Sequence, residues 1–134
     1  MFQPAPSSTT NRFAVGHLAT ALSLCLAAFG ATAADAPAKV DNGILVAPNG
    51  MALYTFDKDA ADKSNCNGPC TKVWPPLAAT ASDQPMGAYG IAMRDDGSRQ
   101  WSYKTKPLYY YQGDQKAGDR SGDNFKDVWH LIKE

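Results

Sequence analysis

Apolar and polar positions along residues 41–134 fall in short runs broken by Asn-Gly, Asp-Gly and proline. That punctuation belongs to strands and turns, and no stretch there shows sustained helical periodicity. Residues 43–57 read GILVAPNGMALYTFD: an apolar run, Asn49-Gly50, and a second apolar run. Asn-Gly between two such runs predicts a hairpin. On the second run, period two puts Leu53, Thr55 and Asp57 on one face and Tyr54 and Phe56 on the other. Residues 89–112 hold three strand-like runs. Asp96-Gly97 separates the first two, and Thr105-Lys106-Pro107 the last two. There Leu108, Tyr110 and Gln112 share a face opposite Tyr109 and Tyr111. TKVWPPL (71–77) and KDVWHLI (126–132) each predict a short closing strand. Pro75 and Pro76 place the first at an edge or strand end. DKDAADKS (57–64) could form one helical turn.

The same phrase occurs twice. LYTFDKD (53–59) and LYYYQGD (108–114) share Leu, Tyr, an aromatic and Asp at an offset of 55, and Val73-Trp74 meets Val128-Trp129 at the same offset. Matches on both sides of a variable stretch point to two copies of one unit, about 41–80 and 89–134. The expected fold is all-β: two similar units of about 50 residues packed with pseudo-twofold symmetry, making one domain. One such unit is too small to bury its own aromatic face well, and a second copy supplies a matching face. Trp74, Trp101 and Trp129 are the expected core, with the motif residues Tyr54, Phe56, Asp59, Tyr109, Tyr111 and Asp114. A buried tyrosine keeps its ring inside and needs a partner for its hydroxyl. Asp59 and Asp114, just past their strands, are expected to accept backbone N–H bonds. That role predicts that replacing both with Asn would weaken the fold more at neutral pH than at pH 3.

The N-terminus changes the picture. Arg12, an apolar run near Leu18–Phe29 and Ala31-Thr32-Ala33 form a signal-peptide pattern, so residues 1–33 are expected to be removed and the working chain to start at Ala34. The apolar run is short for a membrane span. A second reading takes LSLC (22–25) as a lipobox with Cys25 lipidated, but Leu24 stands where a small residue belongs and Cys25 sits inside the apolar run. Membrane anchoring is expected only if Cys25 carries a lipid. Removing Arg12 leaves 12 Lys+Arg against 13 Asp+Glu, a net charge of −1. No basic excess points to nucleic acid.

Two cysteines remain, Cys66 and Cys70 in SNCNGPC. An exported chain meets an oxidising compartment, and Asn67-Gly68-Pro69 is turn chemistry, so a disulfide is expected. The second copy has Ser121 and Phe125 at the matching positions. The spacing fits neither C-x-x-C redox pairs nor haem attachment, and His130 alone cannot complete a zinc site. His130 has no nucleophile motif beside it and reads as an ordinary strand histidine. Asp57, Asp59 and Asp62, and again Asp114, Asp119 and Asp123, are grouped as a calcium-like ion would require, without EF-hand spacing. No other cofactor is indicated.

Tyr54-x-Phe56-x-x-Asp59 and Tyr109-x-Tyr111-x-x-Asp114 resemble the Y-x-(F/W/Y)-x-x-D motif of a bacterial secreted-repeat family often labelled predicted lipoproteins. NGMALYTFDKD, CNGPCTKVWPPL, GSRQWSYKTKPLYYYQGD and VWHLI are similar to it as well, over 41–132. The weak lipobox is the departure. The resemblance implies an exported envelope protein, periplasmic or secreted, and no particular reaction; no catalytic residues carry over. The expectation is a non-catalytic binding or structural module whose partner is an envelope protein or a small ligand. The alternative is a redox or ion-binding protein using Cys66/Cys70 or the acidic turns.

Overall fold

The computed structural model describes residues 35–134. The predicted signal peptide, its cleavage site and Cys25 lie outside the described residues. The elements are β1 (Lys39–Asp41), β2 (Ile44–Val46), β3 (Tyr54–Phe56), α1 (Cys70–Val73), β4 (Ala78–Ala79), β5 (Tyr89–Met93), β6 (Arg99–Tyr103), β7 (Lys106–Pro107), a 3-10 turn (Phe125–Asp127) and β8 (Trp129–Leu131). The described residues are all-β apart from these two helical turns.

The hairpins form where the turn residues allow. Asn42 (φ 48°) and Gly43 (φ 79°) both take the left-handed conformation and close β1 onto β2. That is the Asn-Gly hairpin preference at work, one turn earlier than expected. At Asn49-Gly50 the chain also reverses: Gly50 N–H donates to Ala47 O at 2.8 Å, and Val46 faces Ala52.

The central strands pair across the two copies. β3 runs antiparallel to β8, with Tyr54 opposite Leu131 and Phe56 opposite Trp129. Adding 55 to Tyr54 and subtracting it from Leu131 gives Tyr109 opposite Pro76, which is also observed. Asp57 N–H donates to Val128 O at 2.8 Å, and Gln112 N–H to Val73 O at 2.9 Å, again related by 55. Between them Tyr54 and Tyr109 exchange both backbone bonds, at 2.8 and 3.0 Å. A pair that maps onto itself marks the pseudo-twofold axis. The outer hairpins correspond too. Val40 faces Leu45 as Ile91 faces Trp101, and Leu45 and Trp101 N–H donate to Ile132 and Leu77 O, each at 2.9 Å.

Two-faced burial follows from the alternation. Tyr54, Tyr109, Trp74, Trp129, Ile44, Val46 and Cys66 fill one core cluster. Leu53, Leu108, Leu45, Leu77 and Trp101 fill the other.

Three local expectations are corrected. TKVWPPL opens as the helical turn α1 rather than a strand. Pro69 at φ −58° presets the turn, and the prolines at 75 and 76 cannot donate to continue a ladder. Residues 57–64 contain no helical turn; Asp62 is left-handed (φ 51°) and Ala60 pairs with Lys63. The reversal placed at Thr105-Lys106-Pro107 is tighter. Lys104 and Thr105 make it with positive φ, and Lys106–Pro107 already pair back onto β6.

Candidate functional site

The motif residues converge on the twofold axis, and they cross. The Tyr54 hydroxyl donates to Asp114 Oδ2 at 2.6 Å, and the Tyr109 hydroxyl donates to Asp59 Oδ2 at 2.6 Å. Each tyrosine thus holds the aspartate of the other copy. The free carboxylate oxygens accept backbone N–H: Asp59 Oδ1 from Asn65 at 2.7 Å and Asp114 Oδ1 from Ser121 at 2.8 Å. Both tyrosines are fully buried.

The two junctions differ in their second layer. Tyr54 Oη accepts from Gly122 N–H at 3.2 Å, a backbone donor. Tyr109 Oη is 2.5 Å from Ser64 Oγ, which in turn accepts from Arg94 Nη1 at 3.0 Å. Arg94 is buried, and its guanidinium also donates to Gln100 Oε1 at 2.7 Å and Cys66 O at 2.6 Å. Gln100, also buried, donates to Leu108 O at 2.7 Å. Among the described residues no buried side-chain polar atom is left without a partner. A buried guanidinium is tolerated only on such terms.

Burial, reinforced by the neighbouring carboxylate, pushes both phenols well above the usual tyrosine range. Burial also raises Asp59, against the opposing pull of its bonds to Tyr109 and Asn65 and of the Arg94 charge. The sign expected for a hydrogen-bonded turn carboxylate is therefore reversed at Asp59, because desolvation outweighs the bonds.

Beside the junctions runs a four-ring stack, Phe56–Trp129–Trp74–Tyr111. Its centroid spacings are 4.3, 3.9 and 4.5 Å, and the two indoles lie within 3° of parallel. It too is symmetric about the axis. Gly122 is obligatory here: a Cβ would sit 2.7 Å from the Trp74 ring.

Cys66 and Cys70 form a disulfide, with Cys66 buried against the aromatic cluster. The aspartates grouped in the sequence face different partners. Asp57 lies 2.7 Å from His130 Nε2, and Asp62 accepts from Ser102 Oγ at 2.5 Å. Asp119 accepts from Gln115 N–H at 2.9 Å, and Asp123 from Leu131 N–H at 3.0 Å. Among the described residues no three His, Cys, Asp or Glu side chains converge as metal ligands would. His130 Nδ1 lies 3.1 Å from Asn124 Oδ1, so both ring nitrogens are engaged. Two open clefts lie on this side of the sheet, the first of them lined by this histidine. One, of about 300 Å³, lies between Tyr103, Lys104, Lys106, His130 and Glu134; another, of about 210 Å³, lies beside Phe56, Asp57 and Ala60. Arg94 and Gln100 were not singled out in the sequence. Their only signal is a charge and an amide flanking a turn that looks solvated.

A family model described as a secreted repeat of unknown function (Lipoprotein_15) matches the chain twice, over residues 37–78 and 90–133. No curated protein and no solved structure matches it. Among the described residues no helix is long and apolar enough to cross a membrane. The two matched segments are the two copies whose tyrosines and aspartates interlock, and the chain belongs to this family of secreted repeats.

Proposed function

We propose that the protein works in the cell envelope as a non-catalytic module, presenting a rigid β surface to an envelope partner or a small ligand. The crossed Tyr–Asp junctions carry this reading. The motif side chains able to exchange protons, Tyr54, Asp59, Tyr109 and Asp114, are spent on one another and on backbone donors, and both ring nitrogens of His130 are engaged by Asp57 and Asn124. A general acid or base must instead reach a substrate proton. The redox alternative has less support, since Cys66 is buried and a working thiol pair needs access.

The test is lysine cross-linking in intact cells with mass spectrometry, comparing the natural chain with a Tyr54→Phe/Tyr109→Phe variant kept below its melting temperature. Envelope cross-links are expected from exposed lysines, unchanged in the folded variant. A substrate turnover that vanishes in the folded variant would make the motif catalytic and overturn the reading.

A further inference from the structure

Among the described residues β1 is an edge strand, paired on one side only, with β2. Its neighbour Leu45 uses its N–H on Ile132 O at 2.9 Å and its C=O on Leu53 N–H at 3.2 Å, both away from β1. The Val40–Leu45 pair is therefore a non-hydrogen-bonded one, and the Val40 N–H and C=O point outward from the sheet. Lys39, Val40 and Asp41 are all exposed, and Val40, 56% exposed, is one of two large hydrophobic residues left so open among the described residues. Neither Lys39 nor Asp41 takes part in an ion pair among the described residues.

The order Lys-Val-Asp reads as its own complement. If a second β1 is laid antiparallel about a twofold axis through Val40, the two Val40 residues exchange both backbone bonds. Lys39 then stands opposite Asp41 of the other copy on each side. The flanking pairs are non-hydrogen-bonded ones, in which side chains approach closest. A parallel in-register pairing puts Lys39 over Lys39 and Asp41 over Asp41, which is repulsive. Edge charges usually discourage pairing; here their order permits one register and opposes another. The pseudo-equivalent edge lacks this code: in β5, Ile91 is flanked by Gly90 and Ala92 and packs on the second core cluster.

We propose that β1 is a self-complementary docking edge through which two copies of this chain pair, antiparallel and centred on Val40. A closed twofold contact of this kind uses one strand from each copy and leaves every other edge as it is. It goes beyond the module reading, and the two fail separately: a monomer removes this contact alone, whereas turnover by the motif removes the other.

The experiment is sedimentation velocity on the mature protein across a concentration series at low salt, where surface charge is least screened. A monomer–dimer equilibrium is expected. Lys39→Asp or Asp41→Lys alone should weaken it by about tenfold or more, since two attractive cross-strand pairs become repulsive. The double variant Lys39→Asp/Asp41→Lys, which restores complementarity, should return it close to the natural value. A strictly monomeric protein, or a dimer indifferent to the single reversals, overturns the proposal. So does a monomer whose Val40 amide is protected from exchange only when another envelope protein is added, which would give the edge to a foreign strand.

Discussion

The Tyr54–Asp114 and Tyr109–Asp59 junctions are related by the same 55-residue offset, yet they are finished differently. At the first, the phenol oxygen is capped by the Gly122 amide, delivered by a loop that packs flat on Trp74. At the second, the cap is Ser64, held by Arg94 from the turn after β5. The corresponding turn of the first copy is Asn42-Gly43, too short to supply an arginine. A backbone donor asks only that the loop keep its path. A side-chain donor asks for a chain of buried polar groups, each of which must be satisfied. The disulfide lies on the side that carries this extra layer, since Arg94 also bonds to Cys66 O. The lesson is that a duplicated phrase preserves the contact on the axis while the means of supporting it drift apart.

The most damaging test strikes what the junctions share. Trp74→Ala and Trp129→Ala each remove a stacked, buried indole and should cost about 3–5 kcal/mol. Near-equal losses in urea unfolding would support the twofold, and a large inequality would break it. Arg94→Met comes next, at about 3 kcal/mol, because it strands Ser64, Gln100 and the Cys66 carbonyl as buried groups that have lost a donor. Amide exchange should rise around residues 64–67 and stay unchanged at Gly122 if the two second layers are independent.

Single hydroxyl deletions sharpen the comparison. Tyr54→Phe and Tyr109→Phe should each cost about 1–3 kcal/mol by leaving buried partners unpaired. Their pH behaviour follows from linkage. Both phenols titrate higher in the folded chain than the ordinary tyrosine value of about 10, so their contribution is fully present below pH 10 and lost as the pH rises toward the folded values. Alkaline unfolding should steepen above pH 10, and each Phe variant should flatten it. Asp59 runs the same way in acid. Its folded pKa lies above the ordinary aspartate value of about 3.9, so its contribution is present below that value and fades as the pH rises. The Asp59→Asn penalty should therefore shrink between pH 3 and neutrality, opposite to the sign expected from a hydrogen-bonded turn carboxylate alone. The smallest effect belongs to Cys66→Ser/Cys70→Ser: about 2 kcal/mol or less for so short a loop, confined to the Ser64 side.

Legibility followed the range of the interaction. The doubling was readable because aromatic positions such as Tyr54/Tyr109 and Trp74/Trp129 keep their spacing, and alternation placed Leu53 and Tyr54 on opposite faces. The Cys66–Cys70 pairing was readable because a five-residue turn closes locally. The crossing of partners was not. Tyr54 stands five residues from Asp59 in the same phrase but bonds to Asp114, 60 residues away, because docking geometry and not spacing decides which carboxylate each hydroxyl meets. Arg94 was hidden for a similar reason: in RDDGSR it looks like a solvated turn, and only the packed Ser64–Cys66 segment turns it into an interior group. The strand assigned to TKVW failed because Pro69 and the disulfide impose a helical turn before Trp74 can extend.

The crossing also governs when the molecule can fold. Its defining bonds join residues 60 and 50 positions apart, and β3 finds its partners in β8 and at Tyr109, both in the second copy. Such non-local pairings carry a large loop-closure cost before any contact rewards it, so folding should be slow and all-or-none rather than copy by copy. A chain still being made, with its second copy unfinished, has no Asp114 for Tyr54 and no Trp129 for Trp74. Such a chain should stay open until the last strand emerges, with the first half a fragment waiting for its complement.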